Sequence, residues 1–174
     1  MILKEIRTLY EVDIVKSFYH DVFPEEPKYD CIEFTNSVTG NHNYDFLRYY
    51  LAIEDNNIVG FCGIYSNNKE EAWLGWFGIR PEFRRKGYAQ RMLNMLSYIM
   101  LEKGYRYCRL YTDKVINNNA YLLYRKNKFV EDSQYKCNFV TMVKDLFRLA
   151  VPENKYWKEK APLGFESEDP HHFS

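Results

Sequence analysis

The stretch that most constrains this chain is residues 79–89, where an apolar strand pattern ends, a basic loop turns at Gly87 and an amphipathic helix pattern begins. The first N–H groups of a helix have no partner within the helix and lie at the positive end of its dipole. Three consecutive cations, Arg84, Arg85 and Lys86, precede the glycine. Gly87 can take a positive φ or let a ligand approach the backbone closely. The stretch therefore predicts a binding site for a small anionic group at a helix N-terminus.

Regular patterns lie on both sides of this loop. Apolar residues recur at helical spacing over residues 89–100, and Lys103-Gly104 is a typical helix ending. Before the loop, residues 72–79 form an apolar strand pattern in which Gly75 and Gly78 indicate a bulge or a close approach by a ligand. Trp73 and Trp76 fall on opposite faces by simple strand alternation, and both are interpreted as packing residues.

The rest of the pattern predicts a mixed domain. Two apolar runs, 49–53 and 58–65, are separated by a hairpin turn, and the second is apolar or small on both alternating faces, as in a sheet covered on both sides. The other predicted elements, in chain order, are a strand at 1–6, a helix at 9–19, an irregular segment at 22–43 with a short helix near 30–34, a strand at 107–111, a helix at 120–126 capped from residues 117–119, and two strands within 129–143.

Composition limits the function classes. Lys+Arg and Asp+Glu both total 24, and this balance argues against nucleic acid or an anionic membrane as a partner. The four cysteines form no C-x-x-C pair and have no nearby histidine, so neither a metal site nor a disulfide framework is expected. No apolar run approaches the ~20 residues of a membrane span, and we expect a cytoplasmic protein. At 174 residues, we expect one domain over residues 1–146 and a partly ordered extension over 147–174.

Two motifs resemble those of the GNAT superfamily of acetyl-CoA-dependent N-acetyltransferases. The superfamily pattern Gln/Arg-x-x-Gly-x-Gly/Ala is met by Arg84-Arg85-Lys86-Gly87-Tyr88-Ala89. Its second signature is similar to Asn117-x-x-Ala120-x-x-Leu123-Tyr124-x-Lys126-x-x-Phe129, except that Lys128 stands where glycine is usual, which is expected to alter that turn. The resemblance covers residues 1–146 and implies an α/β (mixed α+β) fold, with a twisted, mostly antiparallel sheet of about six to seven strands and about four helices.

The resemblance also implies a cofactor and the residues that hold it. The cofactor would be acetyl-CoA, with the pyrophosphate of coenzyme A on the amides of residues 84–89. The pantetheine arm would pair with the preceding strand at Phe77, Gly78 and Ile79, a form of β-augmentation by a ligand that Gly78 would ease. Asn117 would contact the cofactor, and Tyr124 would lie near the sulfur.

Acetyl transfer to an amine needs a neutral nucleophile, a stabilised oxyanion and a proton for the leaving thiolate. Tyr124 is the candidate general acid, and a strand amide at Phe77 or Ile79 would polarise the thioester carbonyl. Glu71 is a candidate base acting through water, although a solvated carboxylate in a turn is the commoner role for such a residue. Glu54 is a second candidate base, and a solvated carboxylate in a turn is the commoner role for it as well.

The acceptor is expected to be a cationic amine. The irregular segment after the first helix combines acidic and aromatic residues, at Glu25, Glu26, Tyr29, Asp30 and Glu33. Carboxylates and aromatic faces both attract ammonium groups.

The sequence is also compatible with two other functions and with a homodimer. A non-catalytic regulatory module could bind acyl-CoA without turnover, and a protein-interaction domain would bind no cofactor. A homodimer could form through the C-terminal strands or the extension.

Overall fold

The computed structural model describes residues 1–26, 31–136 and 138–147 of the chain. The elements, in chain order, are β1 (Ile2–Glu5), α1 (Leu9–Val22), α2 (Ile32–Thr39), β2 (Phe46–Glu54), β3 (Asn57–Ser66), β4 (Glu71–Ile79), a 3₁₀ helix (Pro81–Phe83), α3 (Tyr88–Glu102), β5 (Tyr107–Asp113), α4 (Asn118–Lys126), β6 (Val130–Lys136) and β7 (Phe139–Asp145). The predicted extension from residue 148 onward lies outside the described residues.

The seven strands form one sheet in the order β1-β2-β3-β4-β5-β7-β6. All neighbouring strands are antiparallel except β4 and β5, which are parallel. Two helices precede the sheet's central strands and two follow β4 and β5. This mixed α/β arrangement, with a mostly antiparallel sheet and four helices, confirms the predicted fold class.

Local sequence explains several element boundaries. The Thr8 hydroxyl and the Glu11 carboxylate form a capping box that starts α1. The β2–β3 hairpin turns at Asp55 and Asn56, whose φ angles of 49° and 63° are the left-handed values that a tight hairpin turn needs. At the turn after α4, Lys128 takes a φ of 71°. The turn therefore keeps the left-handed conformation that suits glycine, and the expectation that Lys128 alters it is wrong.

The sheet buries a hydrophobic core on each face, as the pattern of β3 predicts. Helices α1 and α2 cover one face, where Phe18, Phe34 and Tyr49 are among the buried residues. Helices α3 and α4 cover the other face, where Leu96 and Tyr124 are buried. The sheet therefore has an α1/α2 face and an α3/α4 face, and the candidate site has groups on both.

A β-bulge interrupts β4. Gly63 of β3 pairs with Gly75, whereas Phe61, two residues away, pairs with Gly78, so β4 contains one extra residue. The bulge that Gly75 and Gly78 predict is confirmed. Because it shifts the alternation of side chains, Trp73 and Trp76 both lie in the core of the α1/α2 face, and the prediction that they point to opposite faces is wrong.

The segment predicted to be irregular contains α2, which begins at Ile32, near the predicted short helix, and continues to Thr39. Phe34 is its only buried residue, and one apolar anchor gives too weak a periodic signal to define a helix of this length. Within the described residues, no helix combines the length and the apolar character needed to cross a bilayer.

Candidate functional site

Strands β4 and β5 pair over a short stretch only, and we call the space between their unpaired parts the cleft. Their parallel pairing is limited to Glu71–Trp73 of β4 opposite Tyr107–Arg109 of β5. We call the last pair, Trp73 and Arg109, the branch point. Beyond it, residues 74–79 of β4 have no partner strand on the β5 side of the described sheet. An extended ligand can therefore pair with this free edge as an additional strand.

The loop at the end of β4 exposes a row of backbone donors. Arg85 and Gly87 have left-handed φ angles of 60° and 80°, and Gly87 is the N-cap of α3. The N–H groups of residues 85–89 donate no hydrogen bond to any described residue. Left-handed residues alternating in this way turn successive N–H groups toward one concavity, which suits an anion. The geometry fits the predicted phosphate site, whose occupant stays a prediction.

The three cations of this loop do not act alike. The Arg84 guanidinium donates hydrogen bonds to the carbonyl oxygens of Ile79, at 2.9 Å, and Val22, at 3.1 Å. Val22 is the last residue of α1, where a cation also complements the helix dipole. Arg84 therefore connects the loop to α1. The sequence had suggested that its charge would lie free beside the backbone donors. The side chains of Arg85 and Lys86 are exposed.

The glycines of this region have different roles. A Cβ at Gly78 would overlap Val22 Cγ1 and come within 3.0 Å of Phe23 Cζ. Gly78 thus makes room for the end of α1, and its predicted role in the approach of a ligand stays a prediction. A Cβ at Gly87 would meet nothing within 4 Å, so the side chain is excluded there by the positive φ alone.

Tyr124 lies in the core of the α3/α4 face and packs against β4. Its ring centre is 6.0 Å from that of Phe77 on β4 and 5.6 Å from that of Phe129. The side chain is buried, and desolvation raises the pKa of the phenol above its ordinary value of about 10. Its hydroxyl makes no hydrogen bond to a described residue. Tyr124 is therefore a neutral donor packed against the strand that forms one wall of the cleft.

Asn117 stands at the N-cap of α4, but its side chain makes no capping hydrogen bond. The turn is held instead by Asp113, whose Oδ1 accepts from the N–H groups of Val115, at 2.7 Å, and Ile116, at 2.9 Å. Asn117 therefore occupies the N-cap position that the sequence predicts within residues 117–119, but its side chain does not cap the helix. Its side-chain amide makes no hydrogen bond to a described residue and can contact a ligand where β5 meets α4.

An amide pair joins the two helices beside the cleft. The Gln90 Nε2 group donates to Asn127 Oδ1 at 2.6 Å, and Asn127 Nδ2 donates to Gln90 Oε1 at 2.8 Å. Gln90 lies in the first turn of α3 and Asn127 is the C-cap of α4. This pair fixes the spacing between the N-terminus of α3 and the end of α4.

Neither candidate base is a solvated carboxylate in the cleft. Glu71 is buried, and its Oε2 lies 3.5 Å from Arg109 Nη1. The β3–β4 turn is closed by Asn68, whose Oδ1 accepts from the Glu71 N–H, so β4 already begins at Glu71. Glu54 lies at the β2–β3 turn, where the N-terminal ammonium group and then Arg91 lower its pKa. These two ion pairs weigh against Glu54 as a base, and that role stays a prediction.

The predicted acceptor residues are only partly described. Glu25 and Glu26 follow the end of α1, where Val22 and Phe23 border Gly78 of β4. Tyr29 and Asp30 lie outside the described residues.

A band of aromatic rings on the α1/α2 face escaped the sequence interpretation. Trp73 stacks between Tyr65, with ring centres 6.1 Å apart, and Tyr111, at 5.1 Å. These residues come from β3, β4 and β5, and only the strand register brings them together. The available signal was an arginine, Arg109, between the apolar residues Cys108 and Leu110 of a predicted strand. Among the described residues, no cluster of three or more His, Cys, Asp or Glu could hold a metal ion.

Comparisons with known proteins agree with this geometry. A family model described as the acetyltransferase (GNAT) family matches residues 7–129. An aminoglycoside 6′-acetyltransferase type Ii is 18% identical, with 84% of this chain and 97% of that one covered and a TM-score of 0.69. The PaiA N-acetyltransferase from Thermoplasma acidophilum, solved with coenzyme A, is 18% identical, with 83% and 99% covered and a TM-score of 0.60.

The Campylobacter jejuni N-acetyltransferase PseH, solved with acetyl coenzyme A, is also 18% identical, with 83% of this chain and 97% of that one covered and a TM-score of 0.62. A search of curated protein sequences found no match. At these identities the solved structures establish the likeness of fold, and the family model covers most of the chain.

Proposed function

The chain belongs to the acetyltransferase (GNAT) family, which uses acetyl-CoA, and we propose that it transfers the acetyl group to a primary amine by direct attack in a ternary complex. The observation that carries the proposal is the continuous path from the free amides of residues 85–89, along the unpaired edge of β4, to Tyr124. Such a path offers donors for a pyrophosphate, a strand edge for an extended arm and a neutral proton donor near its end.

In this proposal the backbone of residues 84–89 binds the pyrophosphate of coenzyme A. Helix α3 contributes the positive end of its dipole, and Arg85 and Lys86 contribute exposed charges. Phe77, Gly78 and Ile79 pair with the pantetheine arm, and Asn117 contacts the cofactor from the start of α4. Coenzyme A then lies between the two helices that the Gln90–Asn127 pair connects.

The chemistry forms one C–N bond and breaks one C–S bond. The amine attacks the thioester carbonyl, whose oxyanion accepts a hydrogen bond from a β4 amide at Phe77 or Ile79. The tetrahedral intermediate expels the thiolate of coenzyme A, and the surplus ammonium proton ends on that sulfur. Tyr124 donates a hydrogen bond to the developing thiolate, a role that its raised pKa permits because the phenol stays protonated.

The amine must lose a proton before it attacks. At pH 7 an amine with a pKa of about 10.4 is neutral in about one molecule in a few thousand. Glu71, the candidate base, is paired with Arg109, and six residues of extended strand place it about 20 Å from Phe77. These observations favour a positioning role for Glu71 and reaction through the small neutral fraction of the amine.

The proposed acceptors are cationic amines. Glu25 and Glu26 lie at the end of α1 near β4, and they would attract an ammonium group together with Tyr29 and Asp30. Release of the coenzyme A thiol should be measured with panels of polyamines, aminoglycosides, amino acids and peptides. Turnover only with neutral or acidic acceptors would reject this acceptor class.

A regulatory acyl-CoA-binding module is the second candidate, and the absence of an assignable base among the described cleft residues favours it. Single-turnover transfer from acetyl-CoA separates the two functions. Tight binding with no transfer to any amine of the panels would support the module, whereas transfer that Tyr124→Phe slows would support the enzyme.

A further inference from the structure

The two halves of the sheet meet at one short junction. Strands β1 to β4 form one half, and β5, β7 and β6 form the other. In the described sheet only the pairing of Glu71–Trp73 with Tyr107–Arg109 joins them, supported by hydrogen bonds from the N–H groups of Arg106 and Tyr107 to the Glu70 carbonyl. The angle between the halves determines how far β4 and β5 separate beyond the branch point.

Arg109 connects both halves through its side chain. Its guanidinium carbon lies 4.7 Å from the ring centre of Trp73, and Nη1 lies 3.5 Å from Glu71 Oε2, so it contacts β4 twice. Nη2 donates to Asp132 Oδ2 on β6, the outermost strand of the other half. The planar guanidinium can hold two carboxylates in fixed directions, which the point charge of a lysine cannot do equally well.

Asp132 extends this connection across the second half. It sits at an irregularity in the β6–β7 register, and its Oδ1 accepts a hydrogen bond from Thr141 Oγ1 on β7. The side chains of Arg109, Glu71 and Asp132 are 3%, 8% and 1% exposed. Charges buried to this degree are costly unless each is paired in good geometry, so the arrangement tolerates little movement. We call Glu71, Trp73, Arg109 and Asp132 the branch-point cluster.

We infer that Arg109 is a positioning residue that sets the separation of β4 and β5. It thereby sets the width of the cleft between them, which we call the slot because the proposed function places the pantetheine arm there. The inference rests on the proposed function, because that function places the arm in this slot. The cluster lies at the closed end of the slot, and the loop of residues 84–89, where the pyrophosphate is proposed to bind, lies at its open end. Loss of the cluster should therefore impair recognition of the arm and leave recognition of the pyrophosphate intact.

The test compares two probes, coenzyme A and 3′-phospho-ADP, which carries the pyrophosphate but lacks the arm. The variant is the triple substitution Arg109→Met, Glu71→Gln and Asp132→Asn, which removes the charges together so that no carboxylate is left buried and unpaired. Calorimetry should show coenzyme A binding at least tenfold more weakly than to the parent, with 3′-phospho-ADP binding within twofold. Circular dichroism establishes that the variant is folded at the temperature used.

The matched control disrupts another ion pair of the same half-sheet. Arg106 Nη2 lies 3.1 Å from Asp145 Oδ2, at the end of β5 away from the slot. Arg106→Met with Asp145→Asn should change the affinity for both probes by less than twofold. The affinity of the single variant Arg109→Lys for coenzyme A should lie between those of the parent and the triple variant.

Three results would overturn the inference. They are unchanged coenzyme A affinity in the triple variant, equal weakening of both probes, and selective weakening of coenzyme A in the control as well. A parent protein that bound neither probe would instead contradict the proposed function, and this outcome is visible before any variant is made.

Discussion

The loop of residues 84–89 and the branch-point cluster lie at opposite ends of the unpaired edge of β4 and are built in opposite ways. The loop offers backbone N–H groups of residues 85–89 that have no described partner, on an exposed turn with two left-handed residues. The cluster consists of buried side chains, and its three charged members are all ion-paired. Unpaired donors are available to a ligand, whereas paired buried charges resist displacement. The first region is therefore suited to binding and the second to holding shape.

Substitution of Tyr124, which packs against Phe77 of β4, should have the largest effect. Tyr124→Phe removes the proposed hydrogen bond to the leaving thiolate, and kcat should fall about 100-fold, about 2.7 kcal/mol, while the affinity for acetyl-CoA changes less than twofold. Steady-state kinetics and calorimetry check the two parts. Tyr105→Phe is the control, because Tyr105 is also a buried tyrosine in the core of the α3/α4 face. Equal losses in both variants would reject the assigned role.

The second largest effect is expected from a substitution that changes the backbone of the loop at Gly87. Gly87→Val forces a β-branched residue into a φ of 80°, and acetyl-CoA affinity should fall at least tenfold, about 1.4 kcal/mol. Gly40→Val is a matched control, because Gly40 also has a positive φ, 78°, and open space around it. Gly40 ends α2, and it lines a groove with Glu5 and Arg48 near the β1 edge. Both variants should lose stability, and only Gly87→Val should lose affinity; unchanged cofactor binding in it would contradict the loop assignment.

Charges on the loop should matter less than its backbone. Arg85→Ala and Lys86→Ala should each weaken acetyl-CoA binding about two- to fivefold, and the effect should shrink as salt is added because both side chains are exposed. Arg84→Ala should instead lower the free energy of unfolding by about 1 kcal/mol, since its guanidinium holds the Val22 and Ile79 carbonyls. Thermal unfolding and titrations at two salt concentrations separate these effects. A larger loss of affinity from Arg85→Ala than from Gly87→Val would show that the charges of the loop matter more than its backbone.

The smallest effect is expected from Glu71→Gln on the pH profile of kcat/KM. If the neutral amine reacts without a base, the rate should rise about tenfold per pH unit below the pKa of the acceptor, in the parent and the variant alike. Burial raises the pKa of Tyr124, so its protonated form persists to higher pH and causes no decline below about pH 10. A slope that flattens only in the parent would identify Glu71 as the base.

The same contrast explains what the sequence could predict. The loop is encoded by neighbouring residues, because a glycine between a strand pattern and a helix pattern determines its turn and its donors locally. The branch-point cluster combines residues from β4, β5 and β6, and its contacts depend on a strand register that no local pattern specifies. The faces of Trp73 and Trp76 were mispredicted for a related reason. The glycines indicated a bulge, but its position follows from pairing with β3.

Arg84 and Gly78 illustrate a further limit. Both were correctly identified as features of the loop and its strand, yet the end of α1 determines what each does. Contacts over such sequence separations cannot be derived from residue type alone. The same holds for Glu71, which a turn-rich sequence suggested to be solvated and which the register buries beside Arg109.

Amide hydrogen exchange with and without coenzyme A tests the central claim most directly. That claim is that unpaired backbone donors of residues 85–89 hold the pyrophosphate. At saturating coenzyme A these amides should exchange at least tenfold more slowly than in the free protein, while amides around Gly40 are unchanged. Saturable binding that leaves the exchange of residues 85–89 unaltered would contradict the account.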